Sequence, residues 1–105
     1  MVLMLFHNKL YVDSEISKQK KKIINKLKHN KETIGVYIIT LSINPGDELD
    51  IYPSYILRKK EYIDKELTVV GVASDKEKAL ELLVNMTDDC FKEMGKISFR
   101  QFFKE

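Results

Sequence analysis

The sequence predicts an α/β chain of the α+β kind: a two-layer sandwich in which a mixed sheet of three or four strands carries two main helices and a short C-terminal helix. Residues 34–43 and 67–73 are nearly continuous, β-branched apolar runs, the pattern of strands buried on both faces. Residues 14–29 and 75–94 instead repeat their apolar positions at helical spacing. A ferredoxin-like βαββαβ path is the rival. It needs residues 97–103 to close the sheet, yet Phe99, Phe102 and Phe103 are spaced as on a helix.

Taken in order, residues 4–6 and 10–12 flank His7, Asn8 and Lys9, which reads as a strand pair around a tight turn or as one broken edge strand. In residues 14–29, Ile16, Ile23, Ile24 and Leu27 share one helix face, and Asp13 or Ser14 is placed to cap the first turn. Residues 34–43 form a central strand, ended by Asn44, Pro45, Gly46 and Asp47 as a type II turn with positive φ at Gly46. Pro53 opens a short helix running to about Lys60. After residues 67–73, Ser74 and Glu77 form a capping box for the long helix, which Gly95 stops as a left-handed residue. Ser98 and Gln101 repeat the box, with Ile97 and Phe102 as its hydrophobic staple.

Composition sets the class. At 105 residues, 44% hydrophobic and 32% charged, the chain suits a single domain spanning 1–105 around one core. Its one cysteine, Cys90, allows no intrachain disulfide, and the apolar residues 2–6 are too few for a span or a signal core, so a cytoplasmic location is expected. The abundance of Lys, Ile and Asn suits an AT-rich bacterial genome. The formal net charge of +2 is small for a dedicated duplex-DNA binder.

Catalytic and cofactor patterns are scarce. Each glycine has a structural role, and neither a G-x-G-x-x-G nor a G-x-x-x-x-G-K-[ST] pattern occurs, so no cofactor is expected. One Cys and two His at unrelated spacing offer no zinc set, and Asp47, Glu48 and Asp50 lack the alternation of a calcium loop. Cys90 falls on the apolar stripe of the long helix, where a thiol is inert. Asp88 and Asp89 point to the polar side and read as solvated.

Two surfaces remain. Lys18, Lys21, Lys22, Lys26 and Lys28 line the face of the first helix opposite Ile23 and Leu27, and Arg58, Lys59 and Lys60 lie in a tyrosine-bearing segment. Together they form a candidate site for RNA, single-stranded DNA or another polyanion. On the long helix, apolar residues spread over about half the circumference, more than one sheet face covers. Leu82, Met86, Phe91, Phe99, Phe102 and Phe103 are the corresponding candidate interface for a homodimer or another protein partner. The leading expectation is therefore a non-enzymatic, self-associating protein-interaction module without a membrane partner. Polyanion binding is the alternative, and a small-molecule enzyme or ligand-binding domain comes third, with its crevice near Asn44 and Ser74 if the two apolar strands run parallel.

Overall fold

Strand β4 (Glu66–Ala73) lies at the heart of the sheet because its residues 69–73 are buried, with apolar side chains on both faces. The computed structural model describes residues 3–29, 35–44, 46–55 and 65–104. Among these, β4 pairs in parallel with β1 (Leu3–Val12) and antiparallel with β2 (Tyr37–Leu41), and β2 pairs antiparallel with β3 (Leu49–Pro53). The order is β1-β4-β2-β3. Helices α1 (Lys20–Lys28), α2 (Lys76–Met94) and α3 (Phe99–Phe102) complete the expected mixed α+β architecture. Residues 99–102 are helical, so the ferredoxin-like path is not taken.

Neighbouring strand residues divide between two cores. Ile38, Val69 and Val72 join Ile23 and Leu27 of α1, while Ile39, Val70 and Ala73 join Ala79, Leu82, Met86 and Cys90 of α2 together with the α3 phenylalanines. The main helices thus cover opposite sheet faces, giving three layers where two were expected. Both halves of the two-sided apolar strands are satisfied within the chain.

A bulge makes that division possible. The β2–β4 register passes from Ile39↔Gly71 to Thr40↔Val69, leaving Val70 as the extra residue. Val70 lies in the α2-side core, and a Cβ at Gly71 would point the same way, 2.8 Å from Met86 Cε and 3.1 Å from Ile39 Cδ1. Glycine at 71 is what lets α2 sit this close to the sheet.

Several local expectations change. The first strand is continuous, but its ladder with β4 is interrupted between Phe6 and Tyr11, the broken-edge alternative. The first helix starts at Lys20 after a 3-10 turn (Ser17–Gln19), and its N-cap, Gln19, makes no side-chain bond. Asp13 and Ser14 do not cap it. Residues 49–53 form β3, with Leu49 and Ile51 on the α2-side core and Tyr52 on the other; Pro53 ends this strand at the sheet edge, where a missing N–H is tolerated. The expected helix therefore opens just after Pro53, with Ser54 and Tyr55 in 3-10 conformation, and its remainder, residues 56–60, lies outside the described residues. A bond from Asp47 N–H to the Asn44 carbonyl closes the 44–47 turn at 3.0 Å, but Gly46 does not take positive φ, so the turn is not type II.

For α2 the N-cap is Asp75, not Ser74: its carboxylate accepts the Lys78 N–H at 2.8 Å. Gly95, at φ 72°, ends the helix as expected and donates to the Phe91 carbonyl. Ser98 makes no side-chain cap for α3; Glu48 Oε1, reaching over from the β2–β3 hairpin, accepts the Phe99 N–H at 3.0 Å. Arg100 returns the contact, donating from Nη2 to the carbonyls of Ser42 (2.8 Å), Asn44 (3.2 Å) and Asp47 (3.0 Å). Hairpin turn and C-terminal helix clasp each other. No described helix is long and apolar enough to cross a membrane.

Candidate functional site

The carboxyl ends of the parallel strands β1 and β4 are where an open α/β sheet usually places a ligand. Val12 is followed by Asp13 and Ala73 by Ser74, and a crevice of about 550 Å³ opens there, lined by Asp13, Ser14, Lys78, Glu81, Leu82 and Asn85 among others. The buried Asp13 carboxylate accepts the Glu15 N–H (3.0 Å), the Ser74 N–H (3.0 Å) and the Ser74 hydroxyl. Burial alone would push this carboxyl up, but the bonds from Ser74 and Glu15, with Lys78 nearby, hold it below the usual carboxylate range. It is a carboxylate kept charged in order to join two loops. Lys78 stands 3.4 Å from Glu81 and 3.9 Å from Glu15, which raise its ammonium pKa. The ionisable groups of this crevice are thus engaged with one another and with backbone.

A second polar cluster ties β1 to the C-terminal segment. His7 Nδ1 accepts the Lys9 N–H at 2.9 Å, which assigns the ring proton to Nε2, and Nε2 donates to the Phe103 carbonyl at 2.6 Å. Lys9 Nζ sits 4.6 Å from the Phe102 ring centroid, bonds its carbonyl and lies 3.6 Å from Glu93. Tyr11 donates to Asp89 at 2.5 Å; burial, then that carboxylate, keeps its phenol protonated far above the ordinary range. Asp89 is therefore bonded, whereas it was expected to be simply solvated, and Asp88 pairs with Lys92 at 2.9 Å. Cys90 is buried, with Sγ 3.4 Å from the Ser98 nitrogen. Among the described residues no three His, Cys, Asp or Glu side chains form a group able to hold a metal ion.

The expected interface residues are mostly core. Leu82, Met86, Phe99, Phe102 and Phe103 are buried between α2, α3 and the sheet, because α3 folds back over the half of the face that α2 leaves open. They are not available to a partner. Phe91 is: it stands 57% exposed, with Leu80 (45%), Val84 (67%) and Ile97 (46%). Leu83, Val84, Thr87, Asp88, Phe91 and Ile97 line an apolar groove of about 490 Å³ along this outer stripe. The excess apolar arc read from the sequence is present, displaced from the residues chosen for it. Positions 80, 84, 87 and 91 carried the signal, since their helical spacing forms a second stripe beside Ala79, Leu82, Met86 and Cys90.

The expected polyanion residues that the structure describes lie along the 3-10 turn and α1. Lys21, Lys22 and Lys28 are exposed on α1, and Lys26 is half-buried at its flank. Lys18 lies in the 3-10 turn, and Lys28 Nζ leans 5.7 Å from the Phe6 ring centroid. Arg58, Lys59 and Lys60 fall outside the described residues, so they are not joined to this face. Comparison with family models, with curated proteins and with solved structures finds no match to this chain.

Proposed function

We propose that this chain is a non-enzymatic module of the bacterial cytoplasm that works through protein contacts, and that it pairs with a second copy of itself along the outer stripe of α2. The observation that carries the reading is the contiguous exposure of Leu80, Val84, Phe91 and Ile97 beside an apolar groove. Exposed apolar patches of a few hundred Å² mark contact sites on soluble domains. The spacing fits a two-fold antiparallel pairing: residues 80, 84, 87 and 91 read the same in both directions, so Leu80 of one copy meets Phe91 of the other and Val84 meets Thr87.

Sedimentation velocity over a rising concentration series tests this reading. A concentration-dependent dimer is expected for the wild type, and Val84→Lys, on an exposed position of an intact helix, should hold the chain as a monomer. A wild-type monomer at high micromolar concentration removes the proposal.

A further inference from the structure

We infer that the outer face of the 3-10 turn and α1 binds the phosphate backbone of single-stranded nucleic acid. The argument begins with a conflict in local energetics. Lys20, Lys21 and Lys22 occupy the first turn of α1, at the positive end of the helix dipole, with no acidic residue in that turn and no side-chain N-cap. Lys22 and Lys26, four apart, repel each other. The chain solves the same problem in the opposite way on α2, with Asp75 as cap and Glu77 in the first turn. Solvating the outer face of α1 would be served better by Glu at these positions. A run of residues that weakens its own helix without structural return is expected at a functional surface.

The described surroundings leave this charge without an acidic partner. Among the described residues Lys18, Lys20, Lys21, Lys22, Lys26 and Lys28 make no ion pair, while Lys9, Lys78 and Lys92 each have an acidic partner. On the N-terminal side the nearest acids, Asp13 and Glu15, are turned toward Ser74 and Lys78, and Glu32, four residues past Lys28, lies outside the described residues. The apolar side of α1, Ile23 and Leu27, is buried in the core, so this helix has no apolar face to insert into a lipid surface. A flexible polyanion suits it better. From Lys18 to Lys28 the turn and helix run about 16 Å, the length over which one strand with stacked, duplex-like spacing presents roughly four to five phosphates. The face lies on the opposite side of the sheet from α2, so self-pairing through α2 leaves it open, and failure of one reading is distinguishable from failure of the other.

The test is fluorescence anisotropy of a labelled oligouridylate titrated with the full chain over a potassium chloride series. Engagement of about four phosphates gives a log–log salt slope near −3. The triple variant Lys21→Gln, Lys22→Gln, Lys26→Gln should bind at least about tenfold more weakly, with a slope shallower by about 2, and should melt no lower than the wild type. The matching Lys→Arg triple variant should retain binding. The inference is overturned by absence of binding at low salt, by unchanged binding in the Gln variant, or by a lower melting temperature in that variant, which would make the lysines structural. Tighter binding to phosphatidylserine-containing vesicles than to the oligonucleotide overturns it in favour of a lipid surface.

Discussion

Replacing Asp13 with alanine should weaken the fold more than any other single change at the ends of the parallel strands. The carboxylate is buried and accepts three bonds, one from Glu15 and two from Ser74, so the substitution detaches the β1 exit from the β4–α2 junction, 61 residues away in sequence. Bonds to a charged acceptor contribute about 1.5–3 kcal/mol each, but Glu15 is exposed and water can replace its partner there. The Ser74 pair carries most of the loss, and because Ser74 is itself only half-buried water recovers part of it, for a total of about 2–4 kcal/mol. Against a domain stability on the order of 5–15 kcal/mol, that lowers the melting temperature by roughly 10–20 °C. Urea unfolding followed by far-ultraviolet circular dichroism measures it. The pH dependence supplies a second readout. Because the folded carboxyl is held below its unfolded value, its contribution is fully present above about pH 4 and is lost as the pH falls through the folded value. The gap between wild type and Asp13→Ala should therefore be constant near neutrality and narrow in acid. A variant within about 0.5 kcal/mol of wild type at pH 7, or a gap that does not narrow in acid, refutes the reasoning.

Gly71→Ala places a methyl 2.8 Å from Met86 Cε and 3.1 Å from Ile39 Cδ1, and should destabilise by about 1–3 kcal/mol. Met86→Ala in the same chain should relieve part of that, so a thermal-melt double-mutant cycle reads non-additivity; simple additivity contradicts the close approach. Arg100→Ala removes the guanidinium from three carbonyls of the hairpin turn and should cost about 1–2 kcal/mol. Hydrogen exchange should quicken at Ser42 and Asp47, whose N–H groups close that turn, while α1 stays unchanged.

What the sequence revealed, and what it hid, follows from how local each determinant is. The buried stripe of α2 and its stop at Gly95 are written in consecutive residues, and the two apolar strands announce themselves by composition. Ser74 has the right chemistry for the N-cap of α2, but its hydroxyl is claimed by Asp13, which only the fold brings near, and the cap falls to Asp75. Strand β3 was hidden for a similar reason. Leu49 and Ile51 alternate with Asp50 weakly, and Pro53 suggests a helix start until β2 is available to pair. The interface is legible only in part, because the sequence shows that α2 has too much apolar surface, not which part the C-terminal phenylalanines cover. Once Phe99, Phe102 and Phe103 are docked, Leu80, Val84 and Phe91 remain outside.

The pairing of β1 with β4 has a consequence for the order of events during synthesis. Leu3 aligns with Glu66 and Val12 with Val72, so β1, made before the other described strands, acquires its neighbour only after some sixty further residues have been made. The β2–β3 hairpin is complete well before that, and β4 must arrive to join it to the waiting segment. Such delayed, sequence-distant closure slows folding and leaves an early apolar strand, carrying Met4 and Phe6, open to holdase chaperones while translation proceeds.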